Sequence, residues 1–254
     1  MLTALISMLP PGPSSAGCAA FPYAWSNDPL SCLDAPAGLV RIETSQFQVM
    51  GRLDGDGSDP GISAGAAAFN LGSFAMGAGG SWVRTGDSDT LLVKVAVSKV
   101  LKGDPIGFME GIFGPSISAG GTLGWSRSAD GANCLAASVG FQFSVFPTVA
   151  IGVDVSGLRL AGDPLVNRTI GYGVTYIYDR DFRAHLSVRD KALAIGAELA
   201  VTDHLTVRTG SAGGSWDTGL TIGLGSVSLD YAVRLDRTSA SHFTGISFVP
   251  GGSP

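Results

Sequence analysis

The residues with chemistry to offer are few and far apart. Glu198 and Arg208 stand symmetrically about residues 202–204, which read as a tight turn. In an antiparallel hairpin that symmetry sets them opposite each other as a cross-strand pair of opposite charge. Asp230 falls on the same face of a segment two strands further on. Arg183, His185 and Arg189 share one face of residues 182–189, and Lys94 and Asp154 occupy the matching faces of theirs. Two readings of the Glu198–Arg208 pair stay open: a polar gate, or a staple that holds two strands in register. For the remaining charges the choice lies between recognition of an anionic head group and simple solvation of an interior wall.

None of these residues completes an enzyme. Catalysis by a Ser or Asp nucleophile needs a histidine in reach, and His185 is the only mid-strand histidine on this face. No nucleophile elbow accompanies it. Asp54, Asp56, Ser58 and Asp59 hint at a calcium loop, but Gly65 stands where an EF-hand needs its closing Glu. Residues 77–80 read Gly-Ala-Gly-Gly without the helix or the Gly-Lys-Ser/Thr of a phosphate cradle. Cys18, Cys32 and Cys134 have no metal-ligand spacing. They read as isolated small residues, although Cys18 and Cys32 could pair in an oxidising compartment. The sequence therefore implies no catalysis, no cofactor and no metal.

The elements that must position these side chains are strands. Period-2 alternation runs from residue 40 onward and helical periodicity is absent. In residues 192–201, Leu193, Ile195, Ala197, Leu199 and Val201 share one face; Ala194, Gly196 and Glu198 share the other. In residues 169–178, Ile170, Tyr172, Val174, Tyr176 and Tyr178 oppose Gly171, Gly173 and Thr175. The second face is thus Gly, Ala, Ser and Thr with sparse charge. A solvated face of a sandwich carries more Lys and Glu, whereas small residues suit a narrow lumen. Trp82, Trp125, Phe141, Phe143, Tyr176, Tyr178 and Phe182 fall near strand ends, where membrane girdles belong.

Composition agrees. Only 15% of the 254 residues are charged against 45% apolar, too little charge for an ordinary soluble surface. The few Lys and Arg are scattered, which excludes a nucleic-acid footprint. No apolar run reaches the roughly 18 residues of a spanning helix, so a chain that crosses a membrane must close its sheet. The segments number about fourteen, the first predicted at 42–52 and the seventh at 148–156, an even count of roughly ten-residue strands. The sequence predicts an all-β, antiparallel transmembrane barrel, integral to a bacterial outer membrane and in contact with its lipid. Residues 39–254 form the barrel; residues 1–38 are an N-terminal segment, a signal remnant followed by a lumenal plug. Residues 1–9 are apolar but lack a basic start, so the chain is either already mature or begins downstream of its true start.

Turns alternate between short and longer polar ones, with two exceptions. Residues 101–114 are long but fall on the short-turn rim, and 189–191 are short but fall on the long-loop rim. The former carries an apolar cluster, Ile106, Phe108, Met109, Ile112 and Phe113, among glycines. It reads equally as a hydrophobic plug or ligand contact and as a loop folded over the rim.

Residues 194–199, Ala-Ile-Gly-Ala-Glu-Leu, followed by 203–210, Asp-His-Leu-Thr-Val-Arg-Thr-Gly, resemble a hairpin of the PorV/PorQ-type outer-membrane proteins, in the wider superfamily of the fatty-acid transporter FadL. Residues 219–225 and 228–232 continue the resemblance, as do 24–29 and 35–39 ahead of the first strand. Ala35 stands where that family usually has Asn before Pro-Ala-Gly, and residues 16–20 are a degenerate form of its Gly-rich stretch. The tail after Phe248 also departs from an aromatic end. The resemblance implies a fourteen-stranded barrel with its N-terminal segment in the lumen. It implies either a conduit for hydrophobic small molecules or a docking or shuttle barrel for proteins of type IX secretion; a purely structural outer-membrane protein is the third reading.

Overall fold

Strict alternation of large apolar with small residues builds strands that are apolar on one side only, and such strands must hide their hydrogen-bonding edges. Here the sheet does so by closing. The computed structural model describes residues 28–250 apart from 43, 55–61, 86–87, 105–114, 147 and 179–180. Fourteen antiparallel strands form one closed barrel, each beside its sequence neighbours, and β1 (Gln46–Asp54) seals against β14 (Ala240–Phe248). At that seam Phe47 lies opposite Phe248, and the Phe47 ring also meets Phe69 edge-on.

The remaining strands are β2 (Ile62–Asn70), β3 (Phe74–Thr85), β4 (Ser88–Gly103), β5 (Ser116–Ser128), β6 (Asn133–Phe146) and β7 (Val149–Gly162). They continue as β8 (Thr169–Ile177), β9 (Phe182–Arg189), β10 (Ala192–Thr202), β11 (Leu205–Ala212), β12 (Ser215–Leu224) and β13 (Val227–Leu235). Fourteen was the expected count.

The barrel is turned inside out relative to a soluble protein. Ile195, Tyr172, Val95 and Trp82 point outward and are about half exposed, while the buried residues are mostly small or polar. An exposed apolar surface of this extent calls for lipid around it.

Three details differ from the sequence reading. First, β1 starts at Gln46, not 42, because the chain before it is taken up by two short helices inside the barrel: α1 (Pro29–Asp34) and a 3-10 helix, Pro36–Arg41. Second, β7 does not end at Ser156. Gly157 is a bulge with φ 68°, and pairing with β6 resumes beyond it at Leu158. Third, the rim expected to carry longer loops has more than the one short turn foreseen at 189–191, where Asp190 and Lys191 stand at φ 45° and 74° in a two-residue type I′ hairpin turn. Gly213 and Gly214 make the same turn after β11. The apolar cluster at 106–113, the calcium-like stretch at 55–60 and Cys18 lie outside the described residues.

Candidate functional site

The inner face of β1–β6 is shaped to receive α1 and the 3-10 helix. Leu30, Leu33, Leu39, Val40 and Ile42 are buried in one cluster with Met50, Leu92, Phe243 and the wall alanines 64, 66, 68, 75, 96 and 232. Glycines give the room. A methyl group on Gly79 would come within 2.6 Å of a Leu33 methyl, and one on Gly120 within 2.5 Å of the Pro36 carbonyl carbon. The Gly-Ala-Gly-Gly run is therefore a socket for the plug's leucines, a role the strand pattern did not reveal.

Polar bonds fasten this segment. The Lys94 ammonium donates to the Asp34 carboxylate, both buried. Arg41 Nε donates to Gln142 Oε1 at 2.8 Å and Arg41 Nη2 to Ser144 Oγ at 2.5 Å. Ser98 and Ser118 hydroxyls donate to the Ala37 carbonyl, and the Asn70 amide to that of Ile42. The Leu30 backbone N–H donates to Gln48 Oε1. Of these partners only Lys94 stood out in the sequence. Asp34, Arg41, Gln48 and Gln142 pair over 18 to 101 residues, and no periodicity reports such distances.

The opposite wall is charged. Glu198 and Arg208 are cross-strand partners on β10 and β11 and are 5% and 4% exposed. Arg208 Nε donates to Glu198 Oε2 at 2.5 Å, and Arg183 on β9 donates to the other oxygen of the same carboxylate. Arg208 Nη1 reaches the Thr221 hydroxyl at 2.5 Å; Thr221 in turn donates to Asp230, which Ser247 also approaches at 3.3 Å. Asp230 thus joins through Thr221, one strand nearer. His185 sits beside this chain with Nδ1 3.0 Å from the Thr175 hydroxyl. Closer to the far rim, Arg234 grips Asp217 through both Nε and Nη2, a pair not picked out from the sequence.

Asp154 belongs to neither group. It faces the lumen from β7, between the plug's wall and the charged wall, and is 2% exposed. The eight polar residues singled out in the sequence are thus divided, with Arg189 at the end of β9 opposite Gly171 of β8. Glu198, Arg208, Asp230 and Arg183 form one network with His185 at its side, Lys94 serves the plug, and Asp154 stands alone. Among the described residues no group of three or more His, Cys, Asp and Glu side chains is placed to hold a metal ion.

What this arrangement can do follows from its shape: a barrel apolar on its outside, an apolar segment fastened to one inner wall, and a charged ladder on the other. The full-length shape is shared with solved transport channels. The CymD monoaromatic hydrocarbon channel superposes with a TM-score of 0.65 at 10% identity, covering 95% of this chain and 97% of that one. This chain has the fold of these channels. A Pseudomonas aeruginosa FadL homologue gives 0.63 at 12% identity over 95% of this chain and 98% of its own. The Pseudomonas putida toluene transporter TodX gives 0.63 at 9%, over 96% and 98%. No protein-family description matches the sequence, and no curated protein matches it.

Proposed function

We propose that the chain is an outer-membrane conduit for small hydrophobic molecules. The observation that carries this reading is the plug. An apolar segment packs its leucines into a Gly- and Ala-lined socket inside a barrel that is apolar on its outside, and hydrogen bonds and an ion pair fasten it there. Apolar ligand surface can replace apolar plug surface at little cost, whereas a hydrated ion gains nothing there. The names of the three fold relatives, two of them channels or transporters of monoaromatic hydrocarbons, support the same substrate class. The docking or shuttle role in secretion has no counterpart among those three.

The test is uptake. Intact Gram-negative cells lacking a hydrocarbon channel take up labelled toluene slowly. Cells carrying this protein in their outer membrane should take it up several-fold faster, with uptake of a small sugar unchanged. Equal rates for toluene and for a panel of longer hydrophobic compounds would sink the reading.

A further inference from the structure

Asp154 is a buried carboxylate without a hydrogen-bond donor. Neither of its oxygens lies within hydrogen-bonding geometry of any described group. The reason is visible in the register. Its cross-strand neighbours are Gly140 on β6 and Gly171 on β8, neither of which has a side chain to offer. The plug residue next to it is Pro36: the position a Gly140 methyl would take is 3.0 Å from Asp154 Oδ2 and 3.6 Å from Pro36 Cδ. Proline has no N–H. Ser156, two positions along the same face, is close enough to act on the carboxylate, but its hydroxyl is paired with that of Thr169 at 2.5 Å and makes no hydrogen bond of normal geometry to Asp154.

The charged groups that act on Asp154 are Asp34, Lys94 and Arg189. Lys94 is bonded to Asp34, and Arg189 lies two strands away, beyond Gly171. Every immediate neighbour that could donate is thus replaced by glycine or proline, or is engaged elsewhere. A buried acceptor left unpaired costs stability and gives nothing back unless something arrives to use it.

We propose that Asp154 receives the hydrogen-bond-donating head of an otherwise apolar permeant, an amine or an alcohol on a small hydrocarbon body. The inference rests on the conduit reading and narrows its substrate class. Gly140 and Gly171 put no side chain against the carboxylate, and Pro36 Cδ offers an apolar surface beside it for the body of the ligand. A donor meeting a desolvated carboxylate gains more than one meeting water, so the head group is selected inside the lumen and not at the rim.

The experiment uses the purified full chain in detergent and four ligands with one ring: toluene, benzyl alcohol, benzylamine and benzoate. Binding is measured by calorimetry for the wild type, Asp154→Leu and Asp154→Asn. The wild type should bind benzylamine and benzyl alcohol about tenfold more tightly than toluene, and benzoate least. Asp154→Leu should erase the preference and keep toluene binding. Asp154→Asn, which retains an acceptor oxygen, should keep the alcohol preference and lose the amine's. Both variants should fold and stay folded in detergent as well as the wild type, because no native partner is lost. Equal affinities for toluene, alcohol and amine in the wild type overturn the inference and leave the conduit intact. A preference that survives Asp154→Leu overturns it too, as does a strongly destabilised Asp154→Leu, which would reveal a structural partner. Failure of the wild type to bind any of the four overturns it together with the reading beneath it.

Discussion

At the scale of single residues, the sharpest electrostatic feature is one carboxylate shared by two guanidinium groups. Glu198 is nearly inaccessible and bonds to Arg208 and Arg183 at once. Two cations this close and this far from bulk water tolerate each other only because the carboxylate lies between them. Glu198→Gln keeps the shape and removes the charge. It should cost about 3 kcal/mol of barrel stability, read as a lower urea midpoint for loss of tryptophan fluorescence in detergent. Asp230→Asn should cost less than about 1.5 kcal/mol, since its contacts are to hydroxyls. A loss under about 1 kcal/mol for Glu198→Gln would mean that water reaches the trio and that this wall is wet. The pairing was legible in the sequence because strand alternation and hairpin symmetry fix both face and register. Asp154 was legible as a lumenal charge but not as an isolated one, since isolation depends on what three neighbouring strands and the plug lack.

At the scale of elements, the strands were readable from alternation, the lumenal place of the N-terminal segment came only through the family resemblance, and the helical form of that segment was not readable at all. Alternation of Leu193 to Val201 against Ala194 to Glu198 specifies a strand by itself. The helical pieces Pro29–Asp34 and Pro36–Arg41 are six residues each, too short to show a period. They are held by tertiary contacts and not by helix propensity. Gly157 misleads for a related reason: a glycine in a strand marks either an end or a bulge, and only the continuation of β6 past it decides. The socket can be tested without touching the plug. Gly120→Val would put a branched side chain where the Pro36 carbonyl carbon lies, on the inner face of a strand whose outer face is unchanged. The barrel should still close, since its outward pattern and ladder are untouched, and the 3-10 helix should be displaced. Single-channel conductance in planar bilayers should rise several-fold over the wild type. Unchanged conductance in a folded Gly120→Val barrel would show that the plug does not set the open cross-section.

At the scale of the whole molecule, everything rests on the barrel facing lipid. The outward face of β10 offers a graded test because its residues sample depth: Ala197 lies near the strand's middle and Val201 near its end. An arginine in hydrocarbon cannot be hydrated, whereas one at the interface can extend its guanidinium to water. Ala197→Arg should therefore cost about 2–4 kcal/mol, and Val201→Arg about 0–1 kcal/mol, when refolding equilibria are measured in bilayers. Ala197→Arg should also lower the temperature at which the folded, fast-migrating form on a gel converts to the slower, unfolded one. The inward neighbours serve as the control, because their cost follows packing against plug or network and not depth. If both outward arginines were tolerated equally, that face would be in water. The half-exposed Ile195, Tyr172 and Trp82 would then need a protein partner to cover them, and the same measurement made with and without bilayer would show which solvent the fold requires.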